Sequence, residues 1–264
     1  MKNTFSFEKK YNAFVKIFIN EFIKLGIEKN RILMLHVSLK DIASYTSFTY
    51  KDCTKLILDS LEYFSPKAVL VPSFTYSFVN SGVFSVPFSR SEVGRFSEEV
   101  RMNFSKYRLN DPIFSVLDTK KWLSKKAYII NTNQSFGHET IWSLLNKEDC
   151  LIVNIGLKHL ILTHIHHIEE INNVPYRKII VKKGVTYKND FNYKKVEYNF
   201  YARNLDKEYA LDWGKIESVL CKNNVLHKSQ IDHINFSSLS TKKLHSVIDS
   251  LLDKDEFFLV KKIK

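Results

Sequence analysis

The chain has 264 residues, of which 44% are hydrophobic and 14% aromatic, a composition typical of a packed globular protein and not of an intrinsically disordered one. No segment approaches the roughly 18 uninterrupted apolar residues of a membrane span, and the N-terminus lacks the apolar core of a signal peptide. The formal net charge of +12 is spread along the chain rather than gathered in one nucleic-acid-binding stripe. We therefore expect a cytoplasmic protein with a single domain over residues 1–264, without nucleic acid as a partner.

Short apolar strands alternate with amphipathic helices through the first two thirds of the chain. Apolar residues at helical spacing first predict a long N-terminal helix that ends near Gly26. The predicted strands that follow are RILMLHVS, AVLVPSFTY, DPIFSVLD and LIVNIG, and the predicted helices are YKDCTKLILDSLEYF, SRSEVGRFSEEVRMNF, ETIWSLLNK and THIHHIEEIN. This alternation predicts an α/β fold with a mostly parallel sheet.

The pattern changes after Arg177. The segment KIIVKKGVTYKNDFNYKKVEYNFYARN alternates polar and apolar residues, which predicts an antiparallel hairpin. Two helices are expected next, in DKEYALDWGKIESVLCK and SSLSTKKLHSVIDSLLDK, and DEFFLVKK is expected to be a closing strand. The C-terminal part therefore adds an antiparallel element to the parallel sheet.

Polar loops follow the predicted buried strands. His36 and Ser38 end the first strand, Ser73 and Thr75 end the second, and the THIHHIEE helix follows LIVNIG. The carboxyl ends of parallel strands meet at one edge of a sheet, where ligands commonly bind. We expect these groups to lie together there.

The THIHHIEE helix contains three histidines and two glutamates. Residues three and four apart share a helical face, so Thr163, His166, Glu169 and Glu170 lie together. A carboxylate one turn from an imidazole can hold one ring nitrogen and leave the other to accept a proton, which favours His166 as a general base oriented by Glu169.

Two other interpretations of this helix stay open. His164 and His167 stand at i, i+3 and could be metal ligands, although no histidine pair has the i, i+4 spacing of zinc-protease helices. A solvated, histidine-rich helix without chemistry is the second possibility. The three cysteines of the chain are far apart and have no metal-ligand spacing, so we expect no metal.

Six segments stand in this order over residues 32–180: LMLHVSLKDI, AVLVPSFTYSF, SEVGRFSEEVR, YRLNDPIFSV, SFGHETIWSLL and LTHIHHIEEINNVPYR. In this order they resemble the aminoglycoside 3-N-acetyltransferase-like family. The first and second are similar to the family's His-Ser-Ser-Leu and Pro-Thr-Phe-Thr segments, and the third is similar to Gly-x-x-x-Glu-x-x-Arg. The last is similar to Thr-x-x-His-x-x-Glu followed by Val-Pro-Tyr-Arg.

The resemblance implies a three-layer α/β/α fold and acyl transfer from acyl-CoA to an amine. Asp111 stands where many resistance enzymes have a histidine before proline, so the base would be His166, oriented by Glu169 or Asp111. The implied cofactor-binding residues are His36, Ser38, Leu39, Ser73, Thr75, Ser115, Ser135, Phe136 and Gly137. The implied substrate-binding residues are Tyr76, Glu98, Arg101 and Glu170.

The charge of the chain bears on the acceptor. Aminoglycosides are polycations, which a chain at +12 repels at long range, whereas a nucleotide-linked amino sugar carries a pyrophosphate. We therefore expect transfer of an acetyl or small hydroxyacyl group, such as 3-hydroxybutanoyl, from CoA to a dTDP-type amino dideoxysugar in surface-polysaccharide biosynthesis. An aminoglycoside acceptor is the alternative, and a metal-dependent hydrolase or a basic binding module is a third. A homodimer is possible.

Overall fold

A computed structural model describes residues 2–189, 191–206 and 208–263, with side chains from residue 6 onward. The helices are α1 Lys2–Lys24, α2 Leu39–Thr46, α3 Tyr50–Glu62, α4 Phe78–Ser81, α5 Arg95–Asn103, α6 Ile141–Lys147, α7 Ile165–Ile171, α8 Trp213–Lys222 and α9 Thr241–Leu252. The strands are β1 Ile32–Val37, β2 Ala68–Pro72, β3 Val83–Ser85, β4 Tyr107–Arg108, β5 Val116–Asp118, β6 Leu151–Ile155, β7 Arg177–Asn189, β8 Asn192–Arg203, β9 Tyr209–Leu211, β10 His227–Ile231, β11 Ile234–Ser240 and β12 Val260–Lys262.

The central sheet has the strand order β10-β11-β6-β1-β2-β5-β4. Strand β1 pairs in parallel with β2 and β6, and the pairs toward both edges are antiparallel. The predicted α/β class is confirmed, with parallel pairing at the centre of a mixed sheet. The predicted parallel strands RILMLHVS, AVLVPSFTY and LIVNIG form this centre, where both faces are covered and nearly every side chain is buried.

Helices cover both faces of the sheet. Along β1, Ile32 and Met34 point into a core shared with α6, α7, α8 and α9, whereas Leu33 and Leu35 point into a core shared with α1, α2, α3 and α5. This division follows from the two-residue period of a strand, which sends neighbouring side chains to opposite faces. The three-layer α/β/α arrangement is thus present.

A second sheet packs beside α7 and carries the predicted hairpin. Strands β7 and β8 pair along their length in antiparallel register, and β3 adds to β7 in parallel. Val196 and Tyr198 of β8 pack into the first core, which attaches the hairpin to the body of the protein.

Two segments differ from the sequence prediction. The stretch SSLS belongs to strand β11, and α9 begins only after Ser240, whose hydroxyl accepts from the backbone N–H of Lys243. The start of the predicted DKEYALDW helix is strand β9, and Asp212 caps α8 after it. In both cases pairing with a distant strand overrides a helical spacing of apolar residues. The predicted closing strand is present as β12, which pairs with β9.

Arg108, the last residue of β4, is buried and holds several loops together. Its guanidinium donates to the carbonyls of Val86, Ser89 and Ser73 at 2.5–3.0 Å. It also donates to two hydroxyls, Ser115 Oγ at 3.1 Å and Thr75 Oγ1 at 3.3 Å. Burial lowers the pKa of this arginine to about 9, so it stays charged and its five donors match neutral acceptors of three segments.

Replacement of this arginine should therefore destabilise the fold strongly. Arg108→Met keeps the length of the side chain but leaves buried carbonyls and hydroxyls without donors, which should lower the free energy of unfolding by about 3 kcal/mol or more. Urea unfolding followed by circular dichroism measures the change. The control is Arg95→Met, which removes an exposed arginine whose partner among the described residues is Glu99 on the same helix, and which should cost less than about 1 kcal/mol. Equal effects of the two variants would contradict this role of Arg108.

Candidate active site

A cleft of about 330 Å³ opens at the carboxyl ends of the central strands. His36 is the second-to-last residue of β1, Tyr76 follows β2, and Thr163 precedes α7, so the three predicted loops meet here as the sheet topology requires. Burial lowers the pKa of His36 to about 4, which keeps its ring neutral. The described lining residues are Leu35, His36, Val37, Pro72, Phe74, Tyr76, Val93, Ser97, Leu157, Ile161 and Thr163.

His166 stands one helical turn beyond the cleft-lining Thr163 and contacts a buried carboxylate. Its Nδ1 lies 2.6 Å from Oε2 of Glu169, which is fully buried, whereas 22% of the His166 side chain is exposed. A carboxylate accepts only, so Nδ1 carries the proton of this hydrogen bond and Nε2 keeps its lone pair. No described residue is a hydrogen-bond partner of Nε2. The ring is thus held as the tautomer that can accept a proton at its free nitrogen.

Arg177, the first residue of β7, contacts both His166 and Glu169. Its Nε lies 2.6 Å from the same Oε2 of Glu169, and its Nη2 lies 2.9 Å from Nδ1 of His166. A guanidinium cannot accept, so the second contact competes with the Nδ1–H bond. The shorter, charge-assisted contact to Glu169 decides the tautomer.

The charges around this group keep His166 neutral and Glu169 ionised. Burial, and then the positive charge of Arg177, lowers the pKa of His166 against the opposing effect of Glu169. Burial alone would raise the pKa of Glu169, but the hydrogen bond from His166 and the charge of Arg177 hold it below its usual value. A neutral imidazole backed by a carboxylate is the form that a general base needs at neutral pH.

Aromatic rings connect His166 with the cleft. The ring of Phe136 lies 5.3 Å from that of His166 and 4.4 Å from Phe114, and Phe114 in turn contacts Phe74 and Tyr76. This apolar wall lowers the polarity around the base and strengthens its hydrogen bond to Glu169.

Comparison with known proteins decides the family. The model of the aminoglycoside 3-N-acetyltransferase family matches residues 34–253, most of the chain. This protein belongs to the aminoglycoside 3-N-acetyltransferase family. No curated protein matches the sequence.

Solved structures of the family share the fold at low sequence identity. Aminoglycoside acetyltransferase AAC(3)-IIb has a TM-score of 0.74 at 11% identity, covering 91% of this chain and 97% of that chain. AAC-VIa bound to sisomicin has a TM-score of 0.73 at 14% identity, with coverage of 91% and 97%. AAC-IIIb with CoASH has a TM-score of 0.69 at 13% identity, with coverage of 91% and 96%. Membership confirms the predicted enzyme class, an acyl-CoA-dependent N-acetyltransferase, with acyl-CoA as its co-substrate.

Asp111, the residue expected from the resemblance to replace a histidine, has no described contact with His166. Its Oδ1 accepts from the backbone N–H groups of Ile113 and Phe114 and from the hydroxyl of Tyr198. The carboxylate therefore closes the turn after Pro112 and ties it to β8. Burial raises its pKa to about 7. The expectation that Asp111 could orient His166 is corrected, because Glu169 occupies that position.

The serines and threonines expected at the pantetheine arm are mostly engaged inside the protein. Pro72, Phe74 and Tyr76 face the cleft, so the alternating Ser73 and Thr75 point away from it. Thr75 and Ser115 are buried, and their hydroxyls accept from Arg108, so they are poor contacts for a ligand. Ser73 is buried as well; its backbone carbonyl accepts from Arg108, and its hydroxyl has no hydrogen-bond partner among the described residues. The expectation that these three residues bind the cofactor is corrected, because their side chains are buried away from the cleft.

Some of the remaining expected cofactor residues have internal contacts, and others lie at the cleft or at His166. Ser135 bonds both to the carbonyl of Asn199 and to the backbone N–H of Tyr201, which fixes its turn to β8. Leu39 is buried in the core on the other side of the sheet, and the N–H of Ser38 donates to Ile155. Of this set, His36 lines the cleft and Phe136 reaches the ring of His166.

The expected substrate-binding residues also have internal partners. Arg101 forms two hydrogen bonds of 2.8 Å with Glu98 and a third with the carbonyl of Pro87, so this pair anchors α5 to the preceding loop. Glu170 lies against Gly137, whose lack of a side chain leaves room for the carboxylate. Burial raises the pKa of Glu170 to about 7, against hydrogen bonds from the Phe136–Gly137 backbone. Tyr76 alone of this set lines the cleft, and it is 45% exposed.

His164, the residue before α7, contacts the ring of His167, which in turn contacts the ring of His245 in α9. Both His164 and His167 are buried; burial lowers the pKa of His167 to about 4 and lowers the pKa of His164 well below its ordinary value. The Nδ1 of His167 lies 2.5 Å from the carbonyl of Phe136, which fixes the turn that carries that ring. No group of three or more possible metal ligands is arranged to hold an ion among the described residues. The solvated-helix interpretation is wrong, because α7 is largely buried.

None of the helices within the described ranges is long and apolar enough to cross a membrane. Sequence reasoning missed Arg108 and Arg177, although both stand inside quoted family segments. Each stands as a single arginine in an otherwise apolar or turn-forming segment. That sequence feature indicates a buried cation that needs hydrogen-bond partners.

Proposed function

We propose that this family member transfers an acetyl group from acetyl-CoA to a primary amine of an amino sugar, with His166 as the general base. The observation that carries the proposal is the contact of His166 Nδ1 with the buried Glu169, which leaves Nε2 free in a partly exposed ring. A positioned base of this kind contributes roughly 10²–10⁴-fold to a rate.

The proton follows a short path in this proposal. Acyl-CoA supplies the thioester whose carbonyl carbon the amine nitrogen attacks. His166 accepts the amine proton at Nε2 as the carbon–nitrogen bond forms, and returns it to the sulfur as the carbon–sulfur bond breaks. Glu169 stays ionised throughout and stabilises the imidazolium that forms between the two steps.

Negative charge that develops on the carbonyl oxygen needs a donor. The backbone N–H groups of Ser38, Ser73 and Thr75 already donate to the carbonyls of Ile155, Ser115 and Ile113, so they are not available for this role. Thr163 lines the cleft one turn before His166, and we propose its hydroxyl as the donor.

An aminoglycoside is the first candidate for the acceptor. The family carries this activity in its description, and one solved relative has sisomicin bound. The partly exposed Tyr76 and the apolar wall of the cleft offer a surface for a sugar ring.

A nucleotide-linked amino dideoxysugar is the second candidate, and one observation favours it. A polycation needs unpaired carboxylates, but no carboxylate is among the described residues that line the cleft, and the nearby Glu98, Glu169 and Glu170 serve internal partners. With a net charge of +12, the chain attracts an anionic sugar nucleotide at long range.

A thiol-release assay with acetyl-CoA distinguishes the two acceptors. Sisomicin and a dTDP-linked 3-amino dideoxysugar are compared by kcat/KM, with the His166→Asn enzyme as the blank. The first candidate predicts the higher kcat/KM for sisomicin. The opposite order would replace it by the second candidate, and no thiol release with either would contradict both.

Loss of the imidazole should lower activity without loss of the fold. We expect His166→Asn to reduce kcat/KM by about 10²-fold or more, because the variant has no base at that position. The wild-type kcat/KM should rise with pH only below about 6.5, since the pKa of His166 is lowered, and stay level above. That step should be absent in the variant.

The matched control is His227→Asn, which changes an exposed histidine of β10 in the same way. It should retain wild-type activity and the wild-type pH profile. A His166→Asn enzyme with the wild-type profile would show that the base is another group.

A further inference from the structure

A second cavity, of about 410 Å³, lies beside the cleft, and the loop after β6 contributes to the lining of both. It is formed by the loop after β6 and by the β10–β11 hairpin, the element that sequence reasoning missed. Leu157 borders both the cavity and the cleft, so one ligand can extend from one space into the other.

Asn154, near the end of β6, lines this cavity and lies between two polar neighbours. It pairs with His36 of β1 on one side and with Ser237 of β11 on the other. Only 3% of Asn154 is exposed, and its Oδ1 accepts from the backbone N–H of Ile161 at 3.0 Å. Its Nδ2 has no hydrogen-bond partner among the described residues. A buried amide donor in this state indicates a missing acceptor.

Ser229 of β10 has a similar group, but it faces the other way. Its hydroxyl is also buried without a hydrogen-bond partner in the described chain. Ser229 pairs with Phe236, whereas Asn154 and Lys228 both pair with Ser237, so the side chain of Ser229 leaves the opposite face of the sheet. Of the two unused polar groups, only that of Asn154 therefore belongs to the cavity.

The charge of the lining is positive. Lys158 is exposed on the loop after β6, and Lys228 of β10 pairs with Glu217, the one carboxylate among the described lining residues. Because Lys228 neutralises Glu217, the charge of Lys158 is left over. An ammonium group and an amide N–H are both donors that bind a phosphate oxygen.

We infer that this cavity, with Asn154, Lys158 and Lys228 in its lining, binds a phosphate group of a nucleotide-containing ligand whose other end lies in the cleft. The inference deepens the proposed function and rests on it. Two ligands supply this chemistry: CoA, through its adenosine phosphates, and a nucleotide-linked acceptor, through its pyrophosphate.

Calorimetric titration of the whole protein tests the inference with two probes, CoA and dTDP. Lys158→Glu reverses the free charge of the cavity, and Asn154→Asp keeps the acceptor for Ile161 but replaces the unused donor. Each variant should weaken binding of one probe by about tenfold or more, the effect of losing a charge-assisted hydrogen bond. Weaker CoA binding assigns the cavity to CoA, and weaker dTDP binding assigns it to the acceptor.

The control is Lys254→Glu, an equal charge reversal at an exposed residue after α9, which should leave both dissociation constants within about twofold of the wild type. Circular dichroism checks that the variants are folded. Wild-type dissociation constants for both probes in both folded cavity variants would overturn the inference and leave the proposed function intact. A wild-type protein that fails to bind CoA would instead overturn the proposed function.

Discussion

The buried ion pair between Glu169 and Arg177 is the interaction on which the site depends. Glu169 is fully buried, and a carboxylate without compensation is costly in such a position. Arg177 supplies the charge from the first residue of β7, and its guanidinium packs over the ring of Tyr201, whose hydroxyl donates to the carbonyl of Glu169. The same contacts of Glu169 therefore attach the β7–β8 hairpin to α7 and orient His166.

Several other buried polar residues around the cleft also have hydrogen-bond partners inside the protein. Asp111 closes a turn, Arg108 holds the loops beside the sheet, and His167 fixes the turn that carries Phe136. Each of these groups supports the wall against which His166 packs, and none is a described partner of its ring. The polar residues among the described lining of the cleft are few: His36, Tyr76, Ser97 and Thr163. His166 lies one helical turn beyond Thr163.

Local spacing predicted the parts of the site that lie within one element. The face shared by Thr163, His166 and Glu169 follows from the helical period alone, and the meeting of His36 with Thr163 follows from the parallel order of the central strands. These predictions needed no knowledge of side chains from elsewhere in the chain.

Partners distant in sequence could not be predicted in the same way. Asp111 and Tyr198 are 87 positions apart, and Arg108 and Ser73 are 35 apart, so no periodicity relates them. The SSLS stretch has apolar spacing compatible with a helix, yet it becomes a strand because β6 offers it an unpaired edge. Tertiary pairing decides such segments, and it also decided which serines and threonines remain free for a ligand.

The protonation state of His166 is the most direct test of this account. Nitrogen-15 NMR of the histidine-labelled protein, with the His166→Asn variant used to assign the signal, measures the tautomer and the pKa of the ring. The account predicts a neutral ring at pH 7, with its proton on Nδ1, a bare Nε2, and a pKa below the ordinary value of about 6.5. A ring protonated at Nε2, or doubly protonated at pH 7, would contradict it.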